Sequence, residues 1–105
     1  MKKTKTHRGF DHIEFEDSYN EKCSIQKSSL ATAHAIWLGV DDASPQIMAS
    51  QAAQHGVDTA ETTGWVPFPI HEDVLLTTRM HLTQEKVAEL LPILQKFVDT
   101  GEISD

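Results

Sequence analysis

The sequence predicts an α+β fold: an antiparallel sheet of about four strands with a short middle helix and a C-terminal amphipathic helix. Three observations predict it. Apolar residues alternate with polar ones in HIEF (12–15) and CSIQ (23–26). HAIWLGV (34–40) is nearly all apolar and rich in β-branched and aromatic residues. Val87, Leu90, Leu91, Leu94, Phe97 and Val98 recur at helical spacing. Period two belongs to a half-covered strand and period 3.6 to a helix packed on one face.

In chain order, residues 1–9 hold four of the nine Lys and Arg and almost nothing apolar, so they read as a flexible basic arm. Residues 10–105 read as a single domain. DSYNE (17–21) supplies turn formers between the first two strands, which makes them a hairpin with a turn longer than two residues. HAIWLGV reads as an interior strand, with Gly39 leaving room for a neighbouring backbone or a ligand. Ser44 and Pro45 then open a short helix over PQIMASQAAQH, stopped by Gly56. Gly64, Pro67 and Pro69 turn the next stretch into an extended segment pinned by Trp65 and Phe68. Val74 to Leu82 returns to strand character, with Leu76, Thr78, Met80 and Leu82 on one side and Leu75, Thr77, Arg79 and His81 on the other. Thr83 caps the final helix and Thr100-Gly101 stops it, while Pro92 removes one ladder hydrogen bond inside it and is expected to kink it near Ala88 to Pro92.

Nine Lys and Arg against sixteen Asp and Glu give a formal charge of -7. That balance argues against direct binding to nucleic acid or to an anionic membrane, since both require a basic face. The only cysteine, Cys23, has no intrachain partner, and the basic start runs into polar residues instead of a secretory apolar region. Both features point to the cytoplasm, and no apolar run reaches the length of a membrane span.

Arg79 is the only permanently positive side chain between Lys27 and Lys86, in an otherwise acidic stretch. It shares a strand face with His81, immediately before a helix whose first turn offers free N–H groups. Such a place suits a phosphate or carboxylate. An ion pair of Arg79 with Glu14, Glu16 or Asp73 would read the same. QKSSLAT (26–32) brings Gln26, Ser28 and Ser29 into a loop able to contact an anion, although serines also serve ordinary turns. Trp37 and Trp65 offer flat faces on which a base stacks, with core packing as the alternative.

Other chemistries find less support. The six histidines form no HxxxH or HExxH pattern, and no Cys-His cluster is present, so neither a metal nor a cofactor is expected. Cys23 reads as a buried strand thiol, and Asp41-Asp42 as a solvated strand end. A hydrolase using His81 with Asp41 lacks a supporting motif.

EKCSIQKSSLA, IWLGVDDASPQIMAS and TTRMHLTQEKVAELLPILQKFVDTGEI resemble a set of small proteins encoded in bacteriophage and prophage genomes, over residues 10–103. The compact antiparallel sheet with a C-terminal helix is similar to the phage sponges of the Thoeris anti-defence type. Those proteins oligomerise and sequester cyclic nucleotide-like immune signals without cleaving them. The resemblance implies a non-enzymatic accessory protein that holds a phosphate-bearing nucleotide, with Arg79 and His81 on phosphate and Gln26, Ser28 and Ser29 as polar contacts. Trp37 or Trp65 would stack on the base. The rival is an acidic inhibitor that occupies the basic groove of a host defence nuclease or CRISPR complex through Asp41, Asp42, Asp58, Glu61, Glu72 and Asp73. Self-association as a dimer or larger homo-oligomer is expected from the apolar cluster Trp65, Phe68, Ile70, Leu75 and Leu76.

Overall fold

The computed structural model describes residues 1–104, which form seven strands and one long helix. The strands are β1 (Lys2–Lys5), β2 (Asp11–Glu16), β3 (Lys22–Lys27), β4 (Ala35–Val40), β5 (Gln46–Met48), β6 (Trp65–Pro67) and β7 (Arg79–Thr83). The helix α1 spans Gln84–Thr100. The chain divides into two compact units: one from Met1–Asp41 and the stretch from Thr78 onward, the other Asp42–Thr77.

The first unit is a five-stranded antiparallel sheet in the order β1-β2-β3-β4-β7. The β2–β3 hairpin closes as its turn residues require. The Asp17 carboxylate accepts the backbone N–H groups of Tyr19 at 2.8 Å and Glu21 at 2.9 Å, and Asn20 takes the left-handed conformation at φ 64°. The helix begins where Thr83 Oγ1 accepts the Lys86 N–H at 3.3 Å and ends at Gly101, whose φ is 79°. It continues through Pro92 without interruption.

Register sorts the side chains of this sheet onto two faces, because directly paired residues point the same way. One face carries the rows His12, Gln26, Trp37, His81 and Glu14, Ser24, Gly39, Arg79. The opposite face carries Ile13, Ile25, Leu38, Met80 and Phe15, Cys23, Val40. The sheet thus has a polar face and an apolar face.

The second unit is small. β5 and β6 pair antiparallel, and two short 3₁₀ turns, Ala49–Gln51 and Ala53–His55, follow β5. Its core is Ala49, Ala52 and Val66, with Ile47 and Val57 packed against them.

Three expectations change. Lys2–Lys5, read as part of a flexible arm, is the edge strand β1, paired from Lys2↔Glu14 to Lys5↔Asp11. An edge strand needs only backbone hydrogen bonds on one side, and Lys5 adds an ion pair with Asp11 that holds the Asp11 carboxyl below its ordinary pKa. The residues read as a middle helix instead form β5 and the two 3₁₀ turns, since the segment is too short to be helical on its own and buries only Ala49 and Ala52, with Ile47 packed beside them from β5. The sheet gains its fifth strand from β1, while β7 begins at Arg79; Val74, Leu75 and Leu76 ahead of it are exposed and outside the ladder. Among the described residues, no helix is long and apolar enough to cross a membrane.

Candidate functional site

The polar face of the sheet gathers five of the seven residues singled out in the sequence. Arg79 Nη1 donates to the side-chain carbonyl of Gln26 at 2.9 Å. That bond joins β7 to β3 across the intervening β4. The crossing is possible because Arg79 pairs with Gly39: a Cβ there would lie 2.7 Å from the Thr78 carbonyl oxygen and 3.5 Å from Arg79 Cγ. Gly39 also has φ 153°, a conformation that side chains resist. A glycine in β4 is therefore what lets the arginine lie along the sheet.

Beside this bridge, His81 Nε2 and Ser28 Oγ are 2.9 Å apart, with the direction of donation set by the histidine tautomer. Ser28 is buried, its own N–H bound to the Ala35 carbonyl at 2.9 Å, so its hydroxyl is held in place. Trp37 lies between the two bridges. Its ring centroid is 4.2 Å from that of His81, with the planes tilted by 32°, and the Arg79 guanidinium carbon is 5.8 Å from the Trp37 centroid. An imidazole and a guanidinium thus flank one indole, which places a cation and a second polar ring beside an aromatic surface.

Gln26, Trp37 and Ser29 also line a depression of about 360 Å³, whose opposite wall is Thr6, His7, Arg8 and Phe10 from the β1–β2 turn. Arg8 sits 5.8 Å from the Phe10 ring centroid. Sequence reasoning missed this wall, because it assigned residues 1–9 to an arm. The run THRGF held the signal: a cation and an aromatic around Gly9, which takes φ 83° to turn the chain back toward the sheet.

Arg79 makes no ion pair with Glu14, Glu16 or Asp73, nor with any other carboxylate among the described residues. Its structural alternative is therefore a neutral amide, which an anionic ligand can displace. Glu14 turns instead toward His12, at 3.7 Å, while His12 Nδ1 lies 3.1 Å from Thr4 Oγ1. Asp41 accepts the hydroxyl of fully buried Ser24 at 2.6 Å. His81 pairs with Trp37, four residues before Asp41 and about 13 Å along the strand, so Asp41 does not orient it. Trp65 belongs to β6 of the second unit, where it pairs with Met48 and is 64% exposed. Cys23 is buried on the apolar face, and burial together with Asp17 and Asp41 pushes its thiol pKa up, away from nucleophilic use.

Comparison of the chain with protein-family models, with curated proteins and with solved structures found no match.

Proposed function

We propose that the protein is a phage accessory protein that binds a phosphate-bearing nucleotide signal on the polar face of its sheet, in the host cytoplasm, and holds it without converting it. The observation that carries this reading is the convergence of Arg79, Gln26, His81 and Ser28 around Trp37. A phosphate entering here exchanges the neutral Gln26 partner of Arg79 for a forked contact between opposite charges, with His81 beside it as a second hydrogen-bonding group. The base takes the aromatic side of the depression, where Trp37 and Phe10 offer flat surface and Arg8 a further cation. Sequestering such a signal is the way a protein with this face would antagonise a nucleotide-triggered bacterial defence.

The experiment is calorimetric titration with cyclic nucleotides and ADP-ribose derivatives, alongside analysis of the small molecules released on denaturing protein purified from cells with an active defence system. Saturable binding and a released nucleotide support the reading. No binding to any of them, with salt-sensitive capture of a defence nuclease or CRISPR complex, replaces it with the acidic-inhibitor reading, of whose carriers Asp42, Asp58, Glu61, Glu72 and Asp73 are exposed and Asp41 is half-buried.

A further inference from the structure

The first unit carries two apolar surfaces that its own chain does not bring together. One is the sheet face with Ile13, Phe15, Ile25, Leu38 and Met80, none of them fully buried and Met80 54% exposed. The other is the stripe along α1, where Leu91, Leu94, Phe97 and Val98 are 59%, 56%, 54% and 76% exposed. No residue of α1 is buried. A helix stripe and a sheet face are the two layers from which a core is ordinarily built.

The reason they do not meet is the connection. β7 ends at Thr83 and α1 begins at Gln84, so no loop intervenes. Turning a helix back over the sheet it follows takes a connection of about 2–6 residues. Here the strand runs straight into its cap, and the helix packs chiefly against β7, the strand it continues. At its root an apolar groove of about 440 Å³, with Ile36, Leu82 and Val87 in its lining, stays open.

We infer that the missing layer is supplied by a second copy of this chain: α1 of each protomer lies across the apolar sheet face of the other, in a closed two-fold pair. Dimensions agree with this. A 17-residue helix is about 25 Å long, and five strands at about 4.8 Å spacing make a sheet about 20 Å across. Area agrees as well. The chain exposes 8723 Å², whereas a folded monomer of 11.7 kDa exposes about 5,900 Å². The difference leaves room for the about 800 Å² per partner that a standard interface covers. A second copy is the occupant because each protomer offers both the helix that is wanted and the sheet that wants it, so one exchange satisfies four surfaces and closes. The contact uses the face opposite Arg79 and His81, so it leaves both polar faces open and does not depend on what they bind.

The test combines light scattering with cysteine pairing. The full-length chain should have twice the monomer mass of 11.7 kDa at micromolar concentration. Met80→Cys and Leu94→Cys chains, co-refolded and oxidised, should form a mixed disulfide between the two variants. A monomer mass overturns the inference. So does a dimer whose only disulfide joins Leu94→Cys to itself, which would mean helix-to-helix pairing. A disulfide closing within one chain of the Met80→Cys/Leu94→Cys double variant, at monomer mass, would show the helix folded on its own sheet and overturn it equally.

Discussion

Arg79 reaches over Gly39 to hydrogen-bond Gln26, two strands away, so the most conspicuous cation of the acidic half of the chain is held by a neutral amide. Replacing it should therefore cost little stability. Arg79→Ala breaks one part-buried hydrogen bond from a charged donor, about 1.5 kcal/mol, where a severed buried ion pair would cost about 3 to 5 kcal/mol. Affinity for a phosphate-bearing nucleotide should nonetheless fall by about 10- to 100-fold, the worth of a charge-assisted contact. Thermal melting and calorimetric titration on the same samples check both halves. A large fall in melting temperature with a proportionate loss of binding would make Arg79 a structural residue.

Gly39→Ala should be the more damaging change for the fold. The added methyl would meet the Thr78 carbonyl oxygen at 2.7 Å and Arg79 Cα at 3.0 Å, both backbone, at a φ of 153° that alanine resists. Separating β4 from β7 to accommodate it should cost about 1 to 3 kcal/mol. It should also loosen the Arg79–Gln26 bridge. Urea denaturation gives the first quantity, and protection of the Arg79 amide against hydrogen exchange reads the second.

Ser24 has no exposed surface and donates to Asp41 at 2.6 Å. Ser24→Ala leaves the half-buried carboxylate short of a donor and should destabilise the protein by about 1.5 to 3 kcal/mol. Ser24→Thr, which keeps the hydroxyl, should recover part of that, less the strain of one more methyl in a closed space. Chemical denaturation of the three proteins side by side decides it.

Much of this site was legible because strand alternation does not depend on tertiary context. Once Arg79 and His81 share a face, register against β4 and β3 brings Trp37 and Gln26 under them, and Ser28 follows two residues on. The β2–β3 hairpin, the Thr83 cap and the Gly101 stop were legible for the same local reason. What escaped is set by non-local partners. KKTK carries no apolar signal, and becomes β1 only because β2 offers it an edge. Gln46–Met48 is a strand because Trp65–Pro67 pairs with it, nearly twenty residues away. The helix pattern of α1 was plain, but its exposed stripe comes from the absence of any loop after β7, a boundary one residue wide that periodicity does not resolve.

Cys23 should be inert in the native protein. Burial first, then the Asp17 and Asp41 carboxylates, raise its thiol pKa, so the thiolate is scarcer than in the unfolded chain at any alkaline pH. The linkage follows from the sign. With the folded value above the unfolded one, the stabilising contribution is complete below the unfolded pKa and disappears as pH rises through the folded one. Alkylation by iodoacetamide at pH 8.5 should be slow until denaturant unfolds the sheet. Rapid native-state labelling would place Cys23 in solvent.

His81 supplies the last prediction, and it separates a bound phosphate from an idle polar face. The ring stacks on Trp37 and its Nε2 faces Ser28 Oγ, while the guanidinium nearest to that indole is Arg79. A phosphate bound between Arg79 and His81 takes a hydrogen bond from the ring as well as from the guanidinium. His81→Ala should then weaken affinity for a cyclic nucleotide by about 10- to 100-fold, the worth of a hydrogen bond to a charged group. His81→Gln, which keeps a donor, should recover part of that loss. Calorimetric titration of the three proteins, with thermal melting on the same samples, is sufficient. An affinity of His81→Ala equal to that of the wild type would remove His81 from the site and leave Arg79 to hold the phosphate.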